Sequence, residues 1–162
     1  MGKKKADASG YEQAQPRLIE IIPGRSLRHG KDYVFFCNFA RNNLHMKVLF
    51  IINEAPYGNE KMYNALRLAH QLKKNDPDSD IRVFLMADAV TAALTGQETP
   101  EGYYNTARML KLVLNNGGAV KLCGSCARAR GLARVPLLAG TQMSDMEELA
   151  TWTIESDRVL VF

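Results

Sequence analysis

An α/β fold, with a mostly parallel sheet covered by helices on both faces, is what this sequence predicts, and three observations carry the prediction. Short, almost wholly apolar runs recur from residue 46 onward, as expected of strands buried on both faces. Between them lie longer stretches whose apolar residues repeat at helical spacing. Strand and helix signals then alternate to the last residue, the pattern of a parallel sheet with crossover helices.

The elements follow in order. Lys47 to Ile52 is the first apolar run, and Asn53 to Gly58 is a loop. Met62, Ala65, Leu66, Ala69 and Leu72 form a helical stripe that Lys73, Lys74 and Asn75-Asp-Pro77 bring to an end. Ile81 to Met86 is the second strand, and Asp88 is placed to cap a short helix through Leu94. A polar loop, Gly96 to Gly102, precedes a helix with Tyr103, Ala107, Leu110 and Leu114 on its apolar side, closed by Asn116-Gly117-Gly118. Ala119 to Leu122 is a short strand that delivers Cys123 at its carboxyl end. Gly131 interrupts the helical run that follows, and Pro136 is placed to start one further turn. Ser144-Asp-Met-Glu147 has the spacing of a capping box and opens a helix with Met146, Leu149, Ala150, Thr153 and Ile154 on one face. Asp157 to Phe162 is the last strand. Trp152, Met143 and Met146 read as core or subunit contacts.

Residues 1–45 are unlike the rest. They mix polar and basic residues with Pro16, Pro23 and Gly24 and two apolar pieces, Leu18 to Ile22 and Tyr33 to Phe36, neither followed by an amphipathic helix. The organisation expected is an N-terminal extension over 1–45 and a compact domain over 46–162. A flexible appendage, an added edge strand and an upstream in-frame extension are all open readings of the extension. Its Lys3 to Lys5 run reads as a solvated tail.

With 162 residues, 46% hydrophobic and 23% charged, the chain suffices for one domain with a real core. The net charge of +4 sits wholly in residues 1–45, which hold eight Lys/Arg against four Asp/Glu; residues 46–162 hold thirteen of each. The body is therefore neutral, and nucleic-acid binding ranks last, because a phosphate-tracking surface there must come from local asymmetry alone. The longest apolar runs fall far short of the roughly 20 residues of a membrane span.

Chemistry concentrates in Lys121-Leu-Cys123-Gly-Ser-Cys126-Ala-Arg128-Ala-Arg130-Gly131. A strand end followed by a helix start presents backbone N–H groups to Cys123, which lowers a thiol's pKa, and Arg128 and Arg130 add positive potential. The cysteines, Cys37, Cys123 and Cys126, form no even framework of widely spaced pairs, and no segment reads as a secretory signal. A reducing, cytoplasmic setting is expected, where two thiols so spaced are more often catalytic or metal-binding than structural. Zinc lacks ligands within one chain, since the one histidine after residue 46 is His70, better read as a surface helix residue, and no second cysteine pair exists; a site shared across an oligomer axis stays open. No metal and no cofactor are expected, because thiol exchange requires neither a metal nor a nucleotide, which fits the absence of a P-loop or a G-x-G-x-x-G turn. The plain alternative is that both thiols are small buried apolar residues, a reading that suits Cys126 better than Cys123. Asp88, at a strand end, and Tyr57 and Glu54, in the first loop, complete the candidate site, which falls beyond the carboxyl ends of the strands. Cys37 has no role in it.

Several stretches together resemble the DsrE/DsrF-like family, and most closely its YchN-like branch, related to the sulfur-relay subunit TusD. They are Met46 to Ile52 with Glu54-Ala-Pro-Tyr-Gly58, Val83 to Val90, the cysteine loop Val120 to Leu132, and the closing pair Met143 to Ala150 and Asp157 to Phe162. The resemblance implies a Rossmann-like three-layer α/β/α subunit with a mostly parallel sheet of about five strands, assembled into homotrimers or homohexamers. It also implies that Cys123 accepts and donates sulfane sulfur as a persulfide, between a sulfur-donor protein and an acceptor protein. Cys126 matches a second cysteine of the YchN-like branch, as a resolving or a structural thiol. The expected function is therefore a cytoplasmic, sulfurtransferase-like persulfide carrier. Two alternatives stand beside it: a non-catalytic oligomeric protein that binds a small ligand or a partner, and a thiol redox sensor in which Cys123 and Cys126 close a disulfide.

Overall fold

The computed structural model describes residues 45–162; the apolar pieces Leu18 to Ile22 and Tyr33 to Phe36, and Cys37, lie outside the described residues. Five strands, β1 (Lys47–Ile52), β2 (Asp80–Leu85), β3 (Ala119–Cys123), β4 (Thr141–Ser144) and β5 (Arg158–Val161), form one sheet in the order β4-β3-β2-β1-β5. Every pairing is parallel, so the sheet is wholly parallel. Four α-helices accompany it: α1 (Lys61–Asn75), α2 (Thr106–Asn115), α3 (Gly124–Ala129) and α4 (Met146–Glu155).

From β1 to β4 the chain steps one strand at a time in a single direction, and then returns through α4 to the far edge. With right-handed crossovers, α1 and α2 cover one face and α4 crosses the other. The side chains agree. Val48, Phe50, Ile52, Ile81, Val83, Leu85, Val120 and Leu122 are all but fully buried and share one face with α1 and α2. On the opposite face Trp152 of α4 meets Phe84 edge-on, with ring centroids 6.1 Å apart, and lies between Arg82 and Lys121. Arg82 bonds Glu155 at 2.7 Å and Lys121 bonds Glu148, so both ends of α4 are tied to the sheet by charge. Half-buried cations on this face explain why β2 and β3 read as broken apolar runs, each interrupted by one basic residue.

The structure corrects the sequence in several places. Thr141–Ser144 is a strand that no apolar run announces: it is a four-residue edge strand with Gln142 and Met143 exposed. The capping-box reading is off by one residue. Ser144 ends β4, and Asp145 is the N-cap, its Oδ1 accepting from the Glu148 N–H at 3.0 Å. The buried face of α4 is Leu149 with Trp152, whereas Met146 and Ile154 are exposed. Tyr103 is 70% exposed and precedes α2, whose N-cap is Asn105 and whose buried residues are Thr106, Leu110 and Val113. Pro136 starts no turn; a short 3-10 turn, Leu132–Arg134, comes before it, and Leu137 bridges Leu94. Because Asp145 holds the first turn of α4 through one exposed carboxylate bond, Asp145→Ala is expected to cost about 1 kcal/mol, read from the urea midpoint.

Candidate functional site

β3 ends inside the sheet at Cys123, paired in register with Ser144 of β4, and the backbone turns at once into α3. Cys123 is the N-cap of that helix. Its Sγ accepts the N–H of Cys126 at 3.3 Å and contacts the Ser125 hydroxyl at 3.2 Å. Gly124 is needed for the turn to lie this close to β4, since a Cβ there would meet the Ser144 carbonyl at 3.0 Å. Gly131, at φ 71°, then takes the left-handed conformation that follows the end of α3.

Burial alone would raise the Cys123 pKa. It is outweighed by hydrogen bonds from the Cys126 thiol, the Ser125 hydroxyl and the backbone N–H groups of Cys126 and Ser125, which leave the value below that of an ordinary thiol. Cys126 moves the other way: burial, and the hydrogen bond it gives to the Cys123 thiolate, keep it protonated beyond the ordinary range, against the pull of the Ala87 N–H and the Arg130 charge. The two thiols thus shift in opposite senses, Cys123 the readier to ionise and Cys126 the readier to stay a donor. Cys123 is 7% exposed, yet its sulfur touches the hydroxyl of exposed Ser125, so it lies one side chain beneath the surface.

β2 delivers the second wall. Ala87, just past its carboxyl end, has φ 43°, a conformation that non-glycine residues rarely adopt, and its N–H reaches the Cys126 sulfur. The next residue, Asp88, accepts from Arg130 Nε at 2.8 Å and Nη2 at 2.7 Å, and Arg130 Nη1 donates to the Cys126 carbonyl at 3.1 Å. Asp88 is therefore not a helix cap. The 3-10 helix Ala87–Ala93 has Met86 at its N-cap with no side-chain bond, and the Asp88 carboxylate instead fixes the guanidinium beside Cys126.

Cys123, Cys126, Arg130 and Asp88 are thus brought together in one hydrogen-bonded unit. Arg128 is exposed, and its guanidinium lies over Gly124, 3.4 Å from where a Cβ would stand. Tyr57 and Glu54 belong to neighbouring clusters. The Tyr57 hydroxyl donates to Gln97 at 2.7 Å and accepts the Thr106 N–H, and Glu54 is held by Lys61 at 2.5 Å and Asn59 at 3.4 Å. None of these bonds touches a thiol. Ser125 and Ala87 are the members that sequence reasoning missed. A hydroxyl two residues after an N-capping cysteine was a legible signal for the first; the backbone strain of the second had none.

Ser125→Ala removes one donor to the thiolate and is expected to raise the Cys123 titration midpoint. At neutral pH the ionised fraction falls and iodoacetamide alkylation of Cys123 slows, measured as rate against pH in a Cys126→Ser background. An unmoved midpoint would show the hydroxyl to be a bystander. Among the described residues no group of three or more His, Cys, Asp or Glu side chains is arranged to hold a metal ion.

Comparison with known proteins agrees with the geometry. The model of the DsrE/DsrF-like family matches residues 46–162. Protein YchN of Escherichia coli K12 is 44% identical over 116 residues, covering 72% of this chain and 98% of YchN. An uncharacterized protein of Methanopyrus kandleri is 36% identical over 115 residues, 71% of this chain and 93% of its own length. The crystal structure of YchN superimposes with a TM-score of 0.70, covering 72% of this chain and 99% of that one. A protein of unknown function from Methanobacterium thermoautotrophicum, 18% identical with a TM-score of 0.55 over 72% of this chain and 99% of its own, shares the fold. A wholly parallel five-stranded sheet with a cysteine turn at the end of its third strand, matched along the entire described domain, places this chain in the DsrE/DsrF-like family, in its YchN-like branch.

Proposed function

We propose that this chain is a persulfide carrier, a sulfurtransferase-like member of a sulfur relay. Membership of the DsrE/DsrF-like family suggests a sulfur-relay-related role. The observation that carries the finer reading is the set of donors converging on Cys123 Sγ. In the loading step the Cys123 thiolate attacks the outer sulfur of a donor persulfide. The donor's S–S bond breaks, the donor leaves as a thiolate, and Cys123 holds the sulfur as a persulfide. In the return step an acceptor thiolate attacks that same outer sulfur, and Cys123 departs as a thiolate. Both steps conserve electrons and need no external oxidant. The donors that favour the anion serve twice, since they raise the attacking fraction and make Cys123 a better leaving group.

Cys126, kept protonated, gives a hydrogen bond to Cys123 instead of competing with it as a nucleophile. Were it ionised, it would attack the inner sulfur, close a disulfide and release the cargo as hydrosulfide. The partners of this reading are a sulfur-donor and a sulfur-acceptor protein, the setting is the reducing cytoplasm, and the assembly is a homotrimer or homohexamer. No helix among the described residues is long and apolar enough to cross a membrane.

The test is intact mass after incubation with glutathione persulfide, at neutral pH, followed by removal of excess donor. One added sulfur, mapped to Cys123 and removed by a small acceptor thiol, is the expected result; no added sulfur under conditions that load a known carrier overturns the proposal. A second reading, a thiol redox switch, is favoured by the closeness of the two cysteines, Cys123 Sγ accepting the backbone N–H of Cys126 at 3.3 Å. It requires that mild oxidation remove two hydrogens from the pair and that thioredoxin restore them.

A further inference from the structure

The neutral body is not neutral face by face. Helix α1 carries Lys61, Arg67, Lys73 and Lys74, and α2 carries Arg108 and Lys111, with no Asp or Glu in either; α4, across the sheet, carries Glu147, Glu148 and Glu155 and no Lys or Arg. Two of those glutamates are bound to Arg82 and Lys121. By contrast, Arg67, Lys74, Arg108 and Lys111 have no carboxylate partner within salt-bridge distance among the described residues. A groove of about 240 Å³ runs between α1 and α2, with Arg67, His70 and Lys74 along one wall and Leu66, Met109 and Leu112 as apolar lining. Leu112 is 44% exposed, and Arg108, four residues earlier on the same helix, is exposed beside it.

We infer that this groove docks an acidic, amphipathic segment of a partner protein, its apolar side chains on Met109 and Leu112 and its carboxylates against Arg67, Lys74 and Arg108. Other occupants fit less well. Residues 1–45 of this chain are themselves net positive, with eight Lys/Arg against four Asp/Glu. The one helix of a second copy that concentrates carboxylates is α4, and two of its three, Glu148 and Glu155, are already bound. A single-stranded nucleic acid gains from aromatic faces on which its bases stack. Here the lining is aliphatic, and Tyr63, the ring beside Arg67, is stacked on Tyr104 at 4.3 Å while Arg67 lies over it at 5.1 Å. The groove follows the later turns of α1, away from the strand ends that present Cys123, so a docked segment leaves the thiol accessible.

The test uses the full chain and a fluorescein-labelled helical peptide with leucines on one face flanked by glutamates, followed by anisotropy at low and at physiological salt. Saturable, salt-weakened binding is expected. The Arg67→Glu, Lys74→Glu double variant should weaken it about tenfold or more, and a glutamine-for-glutamate peptide should lose it similarly. Leu112→Asn should weaken it several-fold with the charges untouched. All three substituted positions are on exposed or groove-lining helix surface, and circular dichroism checks the fold. Binding insensitive to Leu112→Asn, or matched by polyglutamate, would show a bare electrostatic field and overturn the proposal. So would an oligouridylate that binds more tightly than the peptide, or charge reversal that changes nothing.

Discussion

Cys123→Ser is expected to reduce sulfur loading to the background of the assay, a loss of about a thousandfold or more in rate. The substitution separates chemistry from architecture unusually well. Cys123 is the N-cap of α3 and accepts the Cys126 N–H through its side chain. Serine is among the preferred residues for that position, so the turn loses nothing and its stability holds or rises slightly. What is lost is ionisation, because a serine hydroxyl is not an anion at neutral pH and forms no persulfide. Cys126→Ser should behave differently: loading persists, since the donor to Cys123 is replaced by another hydroxyl donor and no attacking thiol is removed. The pair of variants also separates carrier from redox switch. A switch fails equally in both, whereas a carrier fails in the first alone. Retained loading in Cys123→Ser, mapped to Cys126, would assign the sulfur to the wrong thiol and sink the mechanism.

How much of this was legible in the sequence depended on whether local pattern or distant packing decided the outcome. β1 and the buried stripe Met62, Ala65, Leu66 and Ala69 of α1 follow directly from periodicity. The cysteine turn was legible too, because a strand end, two thiols and arginines are adjacent in the chain. β4 was not. An edge strand with exposed Gln142 and Met143 buries little on either side and leaves no apolar signature, so its backbone pairing with β3 is fixed by tertiary contact alone. Helix α4 misled for a related reason. Of the stripe Met146, Leu149, Ala150, Thr153 and Ile154, Leu149 does pack, yet Trp152, one side chain with a larger apolar area, decides which face is buried. For Asp88 the local signals point to a cap as well as to the site, and its actual partner, Arg130, lies 42 residues away. Face-by-face charge separation escaped for the same reason: a sum over the chain carries no information about which helices share a side of the sheet.

Trp152→Ala is expected to destabilise the domain by about 3–5 kcal/mol, against a total of about 5–15 for a domain of this kind. Trp152 is 6% exposed, meets Phe84 edge-on, and has the Arg82 guanidinium 5.4 Å and the Lys121 ammonium 4.6 Å from its ring centroids. Truncation opens a cavity over β2 and β3 and removes the ring shared by two half-buried cations, whose carboxylate partners Glu155 and Glu148 sit on the same helix. No other α-helix among the described residues covers that face, so nothing else shields Phe84 when α4 loosens. Trp152→Phe, which keeps an aromatic face of smaller area, should recover a large part of the loss. Because Trp152 is the only tryptophan in the chain, its fluorescence in the wild type reports undocking of α4 directly, while the variants are followed by circular dichroism in urea. Lys121 stands two residues before Cys123 on β3 and is tied to α4 through Glu148. The loss should therefore extend to chemistry, as a broader Cys123 alkylation profile at urea concentrations well below the unfolding midpoint. A stability change below about 1 kcal/mol would mean that α4 is not clamped by this ring and that the sheet face is held by other contacts.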